Sequence, residues 1–307
     1  MLLSFIDFLI YAIILLFSLK IKIFTNFKMK LNIIEIFNKI APTLYEYDDS
    51  YKSRKYTEAE YFQEVLNYLR SECYWSRHNG LINGKVLNNK HNFFVNIGLY
   101  DAIKNHALDI YFKKCKATKL KNQSIDTSFI PNKLGCHNIG RNKYYKGKRG
   151  IKICSIVDSY GIPISTILTS GNTSDCKIFS ELFDKMYIDP ETNKYVNNNK
   201  YKQHFLADPG FDTKEIIDKL ELKGYDVIIP QNIRNTKDPK KIRTLSKRQE
   251  KQYKWRLKVE NSYSWTKAYP VLNAMYEKKD VSYLGLLNLS HAYLILNRLN
   301  KYPNGIV

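Results

Sequence analysis

The chain has 307 residues, of which 44% are apolar and 25% charged, a composition typical of a protein with a packed core. Intrinsic disorder, a collagen-like fibre and a polytopic membrane protein are therefore excluded. The 49 Lys and Arg residues outnumber the 29 Asp and Glu residues by 20. So many positive charges repel one another unless a polyanion binds to the surface. Nucleic acid is therefore the leading partner.

At the N-terminus, residues 2–19 form an apolar run that would extend about 27 Å as a helix, marginally enough to span a bilayer. Lys20, Lys22 and Lys28 follow it and would hold the rest of the chain on the cytosolic side. The alternative is that translation starts at Met29, so that residues 1–28 are an upstream extension. Both interpretations stay open at this stage, and a cleaved signal peptide is not expected.

The region 29–121 is predicted to be helical. Thr57 and Glu60 have the spacing of a capping box, with apolar residues at helical spacing after them, and a second helix is predicted over Asn92 to Lys114. Two interpretations fit this region. It is either a small helical domain packed on its own core, or a DNA-end-binding domain of helix-turn-helix character.

From residue 122 to 300 the pattern changes to alternating strands and helices. Strands are predicted at 123–130, 151–159, 163–170, 204–208 and 226–231. Helices are predicted at 175–187, 213–223, 246–268 and 281–299, the third opened by a capping box of Ser246 and Gln249. Three sequential strands followed by alternating elements predict a mixed α/β sheet flanked by helices, with 301–307 as a tail.

The five cysteines are spread along the chain without any C-x-x-C pair, and only Cys136-His137 places two soft metal ligands side by side. A structural zinc site usually takes four ligands in two close pairs. Reduced thiols in a cytosol-like compartment are therefore expected, and secretion is not.

Three acidic residues hold distinctive places in the α/β region. Asp126 lies in its first strand, Asp208 ends the strand 204–208, and Glu260 lies in the long helix. A carboxylate at a strand end is commonly a solvated cap, so neither aspartate is diagnostic alone.

The long helix carries a more specific pattern around Glu260. Tyr253, Arg256, Glu260 and Lys267 fall within an arc of roughly 60° on one helix face. A carboxylate flanked by two cations and a phenol suits a phosphodiester, although a solvated charged stripe would show the same periodicity.

The spacing Y-x2-R-x3-E-x6-K resembles the Tyr-Arg-Glu-Lys signature of bacterial insertion-sequence transposases that have a DDE catalytic domain. The segments IDTSFI and LADPGFDT resemble the motifs of that family's first and second aspartates. The stretch KGKRGIKICSIVDSYGIPISTILTSGNTSDCKIF resembles its second and third strands. Four elements in the same order, spanning roughly Met29 to Asn300, make the resemblance specific.

The resemblance implies an RNase H-like catalytic fold and a reaction. By position, Asp126, Asp208 and Glu260 would be the catalytic acids that hold Mg²⁺ or Mn²⁺, as two ions. The expected activity is nicking of DNA at element ends and transfer of the 3′ hydroxyl to target DNA, by a homodimer on double-stranded DNA. Pro209 stands where many relatives have Lys, which affects local phosphate contacts but not the acids. The expected location is a DNA-containing compartment: a bacterial or viral-factory cytoplasm, or a nucleus.

Cations near these acids are the candidate DNA contacts. The resemblance assigns Arg256 and Lys267 to phosphates and Tyr253 to a base or the backbone. A second set comes from the basic tract 133–152, in a stretch from Thr127 to Val157 without any acidic residue. Its candidates are Lys146, Lys148 and Arg149.

Three other acids of the α/β region are expected to have structural roles: Asp158 to stabilise the Tyr160-Gly161 turn, and Asp175 and Asp212 to cap helices.

Two functions other than that of a transposase are also considered. One is a domesticated derivative that binds DNA without cutting it, and the other is a membrane-tethered polyanion-binding protein built around residues 2–19.

Overall fold

A computed structural model describes residues 31–45, 55–72, 74–114, 121–187, 203–235 and 243–302. The apolar segment 2–19 lies outside these ranges. Within them, no helix combines the length and the apolar character needed to cross a bilayer.

The N-terminal part of the described chain is helical, as predicted. Its helices are α1 (Ile33–Leu44), α2 (Glu58–Leu69), α3 (Gly84–Asn96) and α4 (Leu99–Lys114). The Thr57–Glu60 capping box is confirmed, with both reciprocal hydrogen bonds formed. The single helix predicted over 92–114 is wrong: the chain breaks between α3 and α4 at Gly98, whose φ of +72° favours glycine over residues with a Cβ.

Strands and helices alternate in the rest of the described chain. The strands are β1 (Asn122–Pro131), β2 (Gly140–Asn142), β3 (Lys148–Val157), β4 (Pro163–Ser170), β5 (His204–Leu206) and β6 (Asp226–Ile228). The helices are α5 (Asp175–Asp184), α6 (Lys214–Leu222), α7 (Lys247–Tyr253), α8 (Leu257–Lys267) and α9 (Asp280–Lys301).

The strands form one mixed sheet in the order β4-β3-β1-β5-β6. β3 pairs antiparallel with both β1 and β4, whereas β5 and β6 run parallel to β1. Short β2, which the sequence pattern did not predict, extends the β4 edge by pairing with the start of β3. This order, with helices on both faces, confirms the predicted RNase H-like α/β fold.

Successive side chains along each strand point to opposite faces of the sheet, so the apolar core has a part on each face. Ile125 and Cys154 pack with α5 and α6 on one face. Ile130 and Ile153 pack on the other face with α8 and α9, in a cluster that also contains the buried residues of α1 to α4. The predicted boundary near residue 121 therefore marks a change of architecture within one continuous apolar core.

The helix predicted over 246–268 is tightened in the middle. Residues Lys254–Arg256 form a 3₁₀ turn between α7 and α8, and the backbone stays in the right-handed helical region throughout. The predicted Ser246–Gln249 capping box is present at its start. Gly161, at φ +77°, lets the β3–β4 turn approach the carbonyl of Lys258, so α8 lies directly against the sheet.

Candidate active site

Asp126 lies in the middle of β1, on the face covered by α8. Its backbone carbonyl accepts a hydrogen bond of 2.6 Å from the Tyr263 hydroxyl, which also donates to the carbonyl of Ile153 at 3.2 Å. Tyr263 is therefore a link between α8 and two adjacent strands. The Asp126 side chain stays partly exposed.

Asp208 follows β5, the strand next to β1. The register pairs Ser124 with Leu206, and continuing both parallel strands by two residues places Asp208 beside Asp126. Asp208 also begins a 3₁₀ turn in which its Oδ1 accepts a hydrogen bond of 2.8 Å from the Gly210 amide. The two predicted aspartates thus meet where the pairing of β1 with β5 stops, at the carboxyl end of β5, and α/β sheets commonly bind ligands at the carboxyl ends of their strands.

Arg256 connects the helical part of the site to the sheet. Its Nη1 donates to Asp126 Oδ2 at 2.8 Å and its Nη2 donates to Glu260 Oε1 at 2.9 Å. The guanidinium lies 5.8 Å from the ring centroid of Tyr253. Tyr253, Arg256 and Glu260 therefore share a helix face, as predicted, and that face meets Asp126.

Burial has the largest effect on the ionisation of Asp126. The pKa of Asp126 is raised to about 6: burial and, to a lesser extent, the Asp208 charge raise it, whereas the Thr127 amide and Arg256 lower it. Burial likewise raises the pKa of Tyr253, which keeps the phenol neutral. Negative charge is thus concentrated where the two aspartates meet and is only partly offset by Arg256.

A family model of known proteins matches the region that contains these residues. A family described as "Transposase DDE domain" matches residues 121–295, more than half of the chain. The chain belongs to the DDE transposase family. No curated protein matches it.

A solved structure, the crystal structure of the Mos1 mariner paired end complex with Mn, shares 13% sequence identity with this DDE transposase. The similarity covers 95% of this chain and 97% of that one at a TM-score of 0.23.

The donor atoms at the site suit the divalent ion that DDE transposases use. Asp126 and Asp208 offer only carboxylate oxygens, which Mg²⁺ and Mn²⁺ prefer, and a cation would relieve their mutual repulsion. Glu260 is half-exposed and held by Arg256. Across the described ranges, no three Asp, Glu, His or Cys side chains converge closely enough to ligate one ion in this arrangement.

The remaining predicted DNA contacts lie away from the acids. Lys267 is exposed seven residues beyond Glu260, about 10 Å further along α8. Lys146, Lys148 and Arg149 are exposed on the β2–β3 corner and the start of β3. Their contact with DNA remains a prediction.

Two of the three other acids differ from their predicted roles. Asp158 has the expected one: its Oδ1 accepts hydrogen bonds from the amides of Tyr160 and Ile162, which confirms that it stabilises the turn. Capping by Asp212 is wrong, because Thr213 caps α6 and Asp212 pairs with Arg243 at 2.9 Å.

Capping by Asp175 is also wrong. The residue before α5 is Ser174, and Asp175 is the first residue of that helix. Its Oδ1 accepts a hydrogen bond of 2.8 Å from Lys152 Nζ and lies 3.4 Å from the Thr127 hydroxyl. A Cβ on Gly210 would lie 3.4 Å from both Asp175 Oδ2 and Asp208 Oδ1. Asp175 is therefore a neighbour of the predicted site.

Sequence reasoning missed the contacts of Tyr263, and it placed Lys152 in the basic tract 133–152 without its partner Asp175. Tyr263 follows Glu260 by three residues and faces the sheet from the same helix, a spacing that could have suggested its role. Lys152 is a charged residue among the apolar residues of β3, but only the folded chain shows that it pairs with Asp175.

Proposed function

We propose that this DDE transposase nicks DNA at the ends of its element and transfers the exposed 3′ hydroxyl to target DNA. The observation that supports this most is the meeting of Asp126 of β1 with Asp208 just after β5, with Glu260 separated from Asp126 by a single guanidinium. A domesticated derivative would be under no physical requirement to keep these carboxylates together.

In this proposal Asp126, Asp208 and Glu260 hold the divalent metal, Mg²⁺ or Mn²⁺, as two ions. When bound, the metal activates a hydroxyl nucleophile and stabilises the departing 3′ oxygen. Tyr263 fixes the backbone of Asp126, and therefore its carboxylate, relative to α8. Burial keeps water away from the inner side of Asp126, which strengthens its interaction with a cation.

Arg256 and Tyr253 lie next to the acids and are proposed to hold the DNA strand there. A guanidinium can bind a phosphate through two parallel hydrogen bonds, and to do so Arg256 would exchange carboxylate partners for phosphate oxygens. Lys267 lies about two turns beyond Glu260 along the helix and would contact the DNA backbone as a point charge. Double-stranded DNA, both element ends and target, is the proposed partner of a homodimer.

The experiment that tests this function uses the full chain and a duplex of the terminal inverted repeats that border the gene. We expect strand cleavage with Mg²⁺ or Mn²⁺ and none in excess EDTA. Glu260→Gln should abolish cleavage while DNA affinity stays equal or rises slightly, because a negative charge near phosphate is removed.

The matched control is Glu181→Gln. Glu181 is also a largely exposed helix glutamate with a cation four residues along, Lys185, but it lies on α5 and not on α8. It should cut normally. DNA binding without cleavage by the wild-type chain would favour the domesticated derivative, and cleavage that persists in EDTA would exclude the metal mechanism.

A further inference from the structure

A second feature adjoins the acids: a cleft of about 410 Å³ between the β2 corner and the loop after β6. The β2 corner contributes Arg141 and Lys143, and the loop after β6 contributes Arg234. The floor is formed by Lys152 of β3 and by the turn before α5, residues 171–174. We refer to this feature as the basic cleft.

The basic cleft carries a net positive charge. Among its lining residues are four cations, Arg141, Lys143, Lys152 and Arg234, and a single carboxylate, Asp175. That carboxylate forms an ion pair of 2.8 Å with Lys152, whose side chain is only 12% exposed. Arg141, Lys143 and Arg234 are exposed and available to an anionic partner.

One wall presents an aromatic ring among these cations. Tyr144 is 66% exposed, its hydroxyl accepts a hydrogen bond of 3.2 Å from Arg234 Nη1, and Lys143 Nζ lies 5.0 Å from its ring centroid. The Arg234 hydrogen bond, followed by the Lys143 charge, lowers the pKa of Tyr144. The neighbouring ring of Tyr145 stacks on Phe129 of β1 at 4.6 Å, which anchors this corner to the sheet.

The basic cleft leads directly to the acids. Gly210 lines it, and the Gly210 amide donates the 2.8 Å hydrogen bond to Asp208. Because Gly210 has no side chain, only backbone separates the cleft floor at Asp175 from Asp208. An extended polyanion lying in the cleft would therefore have one end beside the aspartates.

We propose that the basic cleft binds the sugar-phosphate backbone of the DNA strand that is cut, immediately beside the phosphate that is attacked. Arg141, Lys143 and Arg234 contact successive phosphates, and Tyr144 offers a face on which an unpaired base can stack. This inference rests on the proposed function, and it assigns the strand to residues other than Lys146, Lys148 and Arg149, which do not line the cleft.

The first test needs no mutation. Lysines of the full chain are acetylated with a water-soluble reagent, with and without a 30-base-pair duplex, and modification is read by mass spectrometry. DNA should slow acetylation of Lys143, whereas Lys185, an exposed lysine at the far end of α5, should react at an unchanged rate. Equal protection of both lysines, or of neither, would overturn the proposal.

The second test measures binding of the same duplex across a salt series. Arg234→Ala and Lys143→Ala should each weaken binding several-fold and reduce the log–log salt slope by about one, since each removes one phosphate contact. Lys185→Ala should leave the slope unchanged. Slopes equal to wild type in both cleft variants would overturn the assignment of phosphates to this cleft.

Cleavage of the terminal-repeat duplex separates this inference from the proposed function. If the wild-type chain cuts DNA while Lys143 stays unprotected, the proposed function is supported and the assignment of DNA to the basic cleft is wrong. If DNA protects Lys143 but is not cleaved, the assignment of DNA to the basic cleft is supported and the proposed function is wrong. RNA that protects Lys143 at lower concentration than DNA would overturn DNA as the occupant.

Discussion

Arg256 and Asp126 are 130 residues apart in the chain, and their side chains are joined at 2.8 Å in the folded protein. The same guanidinium holds Glu260 at 2.9 Å. One positive charge therefore lies between two of the three carboxylates that the proposed metal would require. Any divalent cation bound by Asp126 and Glu260 must compete with this arginine.

This competition gives the first prediction. Arg256→Gln should bind Mn²⁺ more tightly than wild type in the absence of DNA, by about tenfold, the equivalent of one charge-assisted hydrogen bond. Isothermal titration of the full chain with Mn²⁺ measures it directly. Arg243→Gln is the matched control, because it removes an arginine paired with a different carboxylate, Asp212. An unchanged Mn²⁺ affinity in Arg256→Gln would show that the arginine does not compete.

The second prediction concerns Tyr263, whose hydroxyl donates to two strand carbonyls. Tyr263→Phe keeps the ring but removes both hydrogen bonds, so it should lower the free energy of unfolding by about 1–2 kcal/mol, measured by urea denaturation. Because the backbone of Asp126 then loses its link to α8, the cleavage rate should fall by more than the smaller fraction of folded protein explains. Tyr283→Phe is the control: its hydroxyl donates to the carbonyl of Leu272, remote from the acids, and it should lose stability with cleavage retained.

Local features of the fold could be predicted from the sequence, whereas contacts between distant residues could not. Capping boxes at Thr57 and Ser246 were predictable because both partners lie within four residues. The juxtaposition of Asp126 with Asp208 was implied by the family resemblance alone, since it depends on parallel pairing between β1 and β5 across some 80 residues.

The errors have the same origin. Asp175 was predicted to cap α5 because an acid at a helix start usually does, but its partner Lys152 comes from another strand. The same limit applies to the candidate DNA contacts, which stay a prediction: the tract 133–152 includes Arg141 and Lys143, but only the fold shows that these two residues line the basic cleft with Arg234. Long-range geometry of this kind leaves no local pattern.

The third prediction uses a buried acid outside the candidate active site, Glu277. Glu277 accepts a hydrogen bond of 2.7 Å from the Trp75 indole, and burial raises its pKa to about 7 from an ordinary 4.5. A pKa raised by folding means that the protonated form favours the folded state, so this contribution is complete below pH 4.5 and is lost as the pH rises through 7. Stability should therefore decline between pH 5 and 8 by an amount on the order of 3 kcal/mol from this group.

The variant Glu277→Gln isolates that contribution. Glutamine keeps an oxygen that accepts from Trp75 and cannot ionise, so the decline in stability over this pH range should become shallower. Thermal unfolding at pH 5 and pH 8 measures the difference. A variant that loses stability with pH as steeply as wild type would assign the decline to other groups.

The last prediction decides which carboxylate is the third catalytic acid. Asp175 lies on the other side of Gly210 from Asp208 and neutralises Lys152, whereas Glu260 lies half-exposed beside Arg256. If Asp175 only balances Lys152, Asp175→Asn leaves that lysine unpaired in the basic cleft, so DNA should bind several-fold more tightly with a steeper salt slope, and cleavage should continue. Loss of the partly buried ion pair should cost about 1 kcal/mol of stability. Glu260→Gln should stop cleavage in the same assay. The opposite pattern, a folded Asp175→Asn chain that binds DNA without cutting while Glu260→Gln cuts normally, would transfer the third catalytic role from α8 to the start of α5.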